Sequence, residues 1–176
     1  LAQDRLDVSD VKGGIKSIRD RLLEAGSPFL GFSTLEEITN EEATVILQAV
    51  QKTKDFGDMA QMIHVLARVP LNGYRHFLEA ASVGMAQTIA GPKVAIGEAA
   101  IQNQVFEAIP LLIQGLKELE SAPSSRFSND FSSALRSLSG QQLGNNAQSW
   151  QNWWNREGEE WLAGIRAGAL KAPKIL

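Results

Sequence analysis

The side chains that could do chemistry are few and dispersed. His64 and His76 are the two histidines of the chain. They fall on different predicted helices, and neither has an Asp, Glu or His four residues on to complete a helical metal pair. Three carboxylate pairs occur, Glu36-Glu37, Glu41-Glu42 and Glu159-Glu160. The first two stand at predicted helix starts, where the helix dipole alone favours negative charge. A general acid needs a carboxylate desolvated in a pocket, which adjacency in sequence does not supply. There is no cysteine, which excludes thiolate nucleophiles, Cys-ligated metal and disulfides while leaving the redox compartment open. No G-x-S-x-G, P-loop or G-x-G-x-x-G occurs, and Gly84, Gly91 and Gly97 are spread through helical pattern rather than gathered on a phosphate loop. The expectation is therefore no catalytic residue, no cofactor and no metal.

Composition narrows the class further. At 176 residues the chain fits one domain with a substantial core, taken as 1–176. Hydrophobic residues at 44% and charged residues at 21% are ordinary globular values, so neither disorder nor a fibrous class is indicated. A formal charge of −3 lacks the basic excess that phosphate neutralisation requires, and nucleic acid is not an expected partner. No apolar run approaches the ~20 residues that span a bilayer, so the reading is of a soluble protein. An opening Leu1 without methionine leans towards an exported chain whose leader has been removed; the compartment is otherwise open, and so is the oligomeric state.

The elements that must position any site are helical. Val11, Ile15, Ile18 and Leu22 recur at helical spacing from Ser9 to Ala25, with Gly26 as a C-cap. Phe29-Leu30-Gly31-Phe32 reads as a buried connector or, alternatively, as an exposed binding patch. Thr39 with Glu42 forms a capping box for a helix carrying Ala43, Ile46, Leu47 and Val50. Asp58 is expected to cap the next helix, after a turn at Phe56-Gly57. Asn72-Gly73 opens a fourth helix, and Gly91-Pro92 ends it while starting the next. Pro110 should split or kink the apolar stripe from Ile101 to Leu119 near Glu107 to Ile109. The run 121–126 is a polar turn, too short to declare a domain boundary, and the tail 171–176 is expected to be loose. No stretch alternates with the two-residue period of a strand.

The most specific stretch is Ala134 to Asn155. Phe131, Leu135 and Leu138 lead to Gly140, a residue suited to a helix C-cap; Asn145-Asn146 offers a new N-cap, and Trp150, Trp153 and Trp154 share one broad face. The spacing resembles the final repeat of bacterial HEAT-like proteins, the armadillo-type α-solenoids, in Ala134, Leu135, Arg136, Leu138, Gly140, Gly144, Trp150, Trp153 and Trp154, with Ser139 where threonine is usual. Ala108 to Leu116 looks like the first helix of such a repeat, proline included. That resemblance implies an α-α superhelix and a tendency to bind macromolecules. It brings no catalytic residues, because the scaffold serves many functions.

The fold expected is all-α, antiparallel helix pairs stacked as a short HEAT-like superhelix, with a compact helical bundle as the alternative. The function expected is a non-enzymatic protein-interaction or scaffold module. Its alternative is a helical carrier or enzyme with an apolar pocket lined by Met59, Met62, Phe77, Met85 and Phe106 in the middle of the chain. At about 100° per residue, Trp150, Trp154 and Trp161 fall together and Trp153 stands apart. Trp153 is therefore placed at the rim and, with Phe29 and Phe32, is the candidate for partner contact.

Overall fold

The computed structural model describes residues 38–88, 90–120 and 127–174. Every regular element among them is helical. They divide into two compact units between Ala95 and Ile96. The helix read at Ser9 to Ala25, the candidates Phe29 and Phe32, and the turn 121–126 lie outside the described residues.

In the first unit, α1 (Asn40–Lys52) begins as its capping residues dictate. The Thr39 hydroxyl accepts the Glu42 N–H at 3.2 Å and donates to Glu42 Oε1 at 3.3 Å. Glu41 and Glu42 occupy the first turn and Lys52 the last, each matched to the dipole. Ala43, Ile46, Leu47 and Val50 are buried, as their spacing requires. The second helix, α2 (Phe56–Leu66), starts earlier than expected. Asp55, not Asp58, is its N-cap and accepts the Asp58 N–H at 2.9 Å. Both aspartates suit a helix start, one as acceptor and one as first-turn negative charge, so the chain's extended conformation at Asp55 decides which caps. Phe56 and Gly57 thus belong to the helix, and 53–55 is the connector.

α3 (Leu71–Met85) starts ahead of the expected Asn72-Gly73, with Pro70 at its N-cap, and its first turn is left-handed: Asn72, Gly73 and Tyr74 all have φ between 52° and 64°. For Tyr74 this conformation costs about 1–2 kcal/mol. α1 packs on both α2 and α3, which also pack on each other.

The next helix, α4 (Ala90–Gln102), has Pro92 in its first turn and contains the division between the units. The interruption expected near Pro110 occurs, and slightly ahead of it. After Gln102 the backbone turns through Gln104 at φ 51°, makes a single 3-10 turn at Phe106–Ala108, and enters α5 (Ile109–Glu120). Pro110 sits in the first turn of α5, where its missing N–H leaves no helical bond unmade. α6 (Phe127–Ser139) ends at Gly140, φ 74°, a left-handed position that a side chain would strain.

Asn146 caps α7 (Ala147–Trp153) by accepting the Ser149 N–H at 2.9 Å. Asn145 does something else: it accepts from Ser132 Oγ at 2.5 Å and donates to Asn129 Oδ1 at 2.7 Å, tying the turn back to α6. Glu120 Oε1 accepts the Ala147 N–H at 2.7 Å. The helical path then widens into a π turn, Trp154–Gly158, and resumes as α8 (Glu159–Arg166). In the tail, Pro173 lies against Gly140, where an added Cβ would stand 3.3 Å from its ring, while Lys171, Ala172 and Lys174 are exposed.

α5 packs on α6 and also on α7. Taken one at a time, both units join helices that are not consecutive, α1 with α3 and α5 with α7, which is closer to the compact bundle than to an extended superhelix.

Because the Thr39 hydroxyl bonds at both of its lone functions, Thr39→Ala should lower stability by about 1 kcal/mol. Urea denaturation of the variant checks this, and Thr39→Ser should recover most of the loss.

Candidate functional site

The second unit is built around tryptophan. Trp150 is fully buried, and its indole N–H donates to the Gly144 carbonyl at 2.8 Å, so the turn that ends the α6–α7 connection also satisfies the ring's one polar atom. Trp153 is 4% exposed. Its ring meets those of Trp150, Trp154 and Trp161 edge-on, with centroids 6.3, 6.0 and 5.7 Å away. Trp161 in turn meets Phe106 at 5.6 Å and 88°. The rim position expected for Trp153 is therefore corrected: Trp153 is the hub of the cluster, and Trp154 and Trp161 are the partly exposed rings.

The π turn is the reason. A wide turn absorbs one extra residue, so every position beyond it lags by about 100°. In a regular helix Trp161, eight residues after Trp153, would stand about 80° away from it; with one residue absorbed the offset falls to about 20° in the other sense. Trp161 is carried onto Trp153 and away from Trp154. Gly158 makes this possible. It is buried, and a Cβ there would lie 2.9 Å from Trp154 Cγ and closer still to Cδ2 and Cε3, so the indole of Trp154 occupies the space a side chain would need.

Arg166 pins the far end. Its guanidinium donates to both carboxylate oxygens of Glu107, at 2.7 and 2.5 Å, and to the Gln104 carbonyl at 3.1 Å. The same group lies over the Phe106 ring, 5.1 Å from its centroid. A forked ion pair with a stacked aromatic resists displacement better than an isolated surface pair.

These constraints shape a cleft of about 630 Å³, open to solvent, lined by Pro110, Gln151, Trp154, Asn155, Arg156, Glu157, Glu159 and Glu160. Arg156 is held by Glu157 at 3.1 Å. The Gln151 amide donates to Asn155 Oδ1 at 2.8 Å. Glu157, Glu159 and Glu160 are exposed. Of these lining groups, Glu159, Glu160 and Trp154 stand out in the sequence, but not as neighbours of Pro110. The signal available was Gly158, a residue without a side chain four positions after a tryptophan.

The other candidates are placed plainly. Met59, Met62, Phe77, Met85 and Phe106 are all buried, between 0% and 8% exposed, and pack as core. His64 is buried. His76 is buried too, with Nε2 3.4 Å from Thr44 Oγ1 and Nδ1 without a hydrogen-bond partner among the described residues. Among those residues no group of three His, Cys, Asp or Glu is placed to hold a metal ion, and no helix is long and apolar enough to cross a membrane.

What fold and site define together is an all-helical domain with a buried aromatic cluster and a polar cleft at its edge. No family model, no curated protein and no solved structure matches this chain.

His76 makes the first unit sensitive to acid. Burial lowers its pKa below the ordinary imidazole value, Arg75 lowers it further, and Glu79 opposes both. A group whose folded pKa is depressed in this way stays neutral in the fold while the unfolded chain takes up a proton. No penalty exists above the ordinary imidazole range; as the pH falls through it stability declines, and the loss is complete below the folded pKa. Urea midpoints compared above and below that range should fall on the acid side, and the part due to His76 should vanish in His76→Gln.

Proposed function

We propose that this chain is a helical binding domain whose ligand is held in the cleft beside Trp154. One observation carries the reading: a partly exposed indole, fixed over a π turn, forms a wall of a cleft whose volume is within the about 300–1,000 Å³ usual for ligand sites. π turns recur at functional sites because they break helical register locally to aim a side chain, and here the side chain aimed outwards is Trp154. The ligand-pocket reading is thus kept, but moved from the Met- and Phe-containing middle of the chain to the second unit.

Binding rather than turnover is favoured by the setting of the carboxylates. Glu157, Glu159 and Glu160 are exposed, whereas acid-base work calls for a desolvated group. The HEAT-like resemblance belongs to the same proposal as a source of scaffold: the residues that carry it fall in α6, the following turn, α7 and the first residue of the π turn, Trp154, which forms the wall of the cleft. A protein is the partner class it favours.

Spectra of protein carrying ¹⁵N-labelled tryptophan separate the four indoles, each assigned by Trp→Phe substitution. Against a library of small aromatic, saccharide, cationic and anionic fragments, the Trp154 resonance should shift with at least one class while buried Trp150 stays still. A Trp154 resonance silent to every class at millimolar concentration would overturn the binding reading.

A further inference from the structure

Resting on that reading, we propose that the cleft takes a basic side chain, above all arginine, from an extended segment of a partner protein. The charges decide the sign. Three glutamates and one arginine line the cleft, and the arginine is already engaged by Glu157. Glu159 and Glu160 are left exposed, with no hydrogen bond or ion pair among the described residues. The amide pair adds to this: Gln151 spends one N–H on Asn155 and keeps its carbonyl oxygen as an acceptor. Carboxylates and a carbonyl around an indole want a ligand rich in donors and poor in acceptors. A guanidinium is that ligand, with five N–H groups, no acceptor, and a flat face that stacks on tryptophan.

The same unit already holds one guanidinium by this chemistry. Arg166 lies on the Phe106 ring and is forked to Glu107, the residue beside it. The cleft repeats the corresponding parts, with an aromatic wall at Trp154 and carboxylates at Glu159 and Glu160. A cleft of about 630 Å³ exceeds one side chain, which leaves room for flanking backbone against Pro110. Polyanions such as nucleic acid have the wrong sign for this lining. A neutral saccharide could use the indole and the amides, but it leaves the surplus negative charge unexplained.

The test uses the full chain with ¹⁵N-labelled tryptophan and three blocked peptides, Gly-Arg-Gly, its citrulline analogue and Gly-Glu-Gly, with maltotriose as the neutral saccharide. Citrulline keeps the shape of arginine and removes its charge. The arginine peptide should shift Trp154 and leave Trp150 unmoved. Its affinity should fall about tenfold for the citrulline peptide, and by a similar factor in Glu159→Gln/Glu160→Gln, which retains side-chain size. Raising the salt concentration should weaken it further. Equal binding of arginine and citrulline peptides, or preference for the glutamate peptide, overturns the basic-ligand proposal. If maltotriose or a neutral fragment shifts Trp154 while the arginine peptide does not, the cleft stands and the cation falls. If nothing shifts Trp154, both fall.

Discussion

The indole of Trp154 lies on Gly158 where no Cβ could stand, and the rest of the second unit depends on that contact. The backbone widens into a π turn over Trp154–Gly158, and the ring lies in the space left by the missing side chain of Gly158. The extra residue rotates α8 relative to α7. Trp161 is brought onto Trp153, Phe106 onto Trp161, and Arg166 within reach of Glu107. Each ring is met edge-on, the arrangement that aromatic quadrupoles favour. Had residue 158 carried a side chain, the same sequence would present different faces on the two sides of the turn.

Much of this was legible in sequence, for a reason that differs by element. Thr39, Gly140 and Pro110 act through local backbone chemistry, and each does what its type demands: a hydroxyl caps, a glycine takes a left-handed φ, a proline moves to a first turn. Asp55 and Asp58 show the limit of that logic. Both satisfy the rule for a helix start, and only the backbone conformation at Asp55 selects between them. Asn145 and Asn146 divide in the same way, one tying the turn to α6 and the other capping α7.

What sequence did not disclose has two physical causes. Assigning faces at about 100° per residue assumes an unbroken α-helix, and the assumption fails between Trp153 and Trp161. That exchanged the roles of Trp153 and Trp154. The cleft was hidden for a second reason: Pro110 and the segment from Gln151 to Glu160 are distant in sequence, and periodicity reports faces within one helix, not pairings between helices. The five Met and Phe side chains offered as a pocket lining are all buried among apolar neighbours, where flexible apolar groups fit irregular gaps between helices.

Gly158 sets the π turn and thereby turns Trp154 outwards, a dependence that the Gly158→Ala variant exposes through its ¹⁵N indole spectrum and its ring-to-backbone nuclear Overhauser effects. The Trp154 indole signal should move, its contacts to residue 158 should be lost, and the Trp153–Trp161 contact should weaken as register slips, while Trp150 keeps its hydrogen-bonded N–H. A Gly158→Ala protein in which the Trp154 and Trp161 signals and contacts are unchanged would be incompatible with that dependence, because the turn would then owe nothing to the missing side chain.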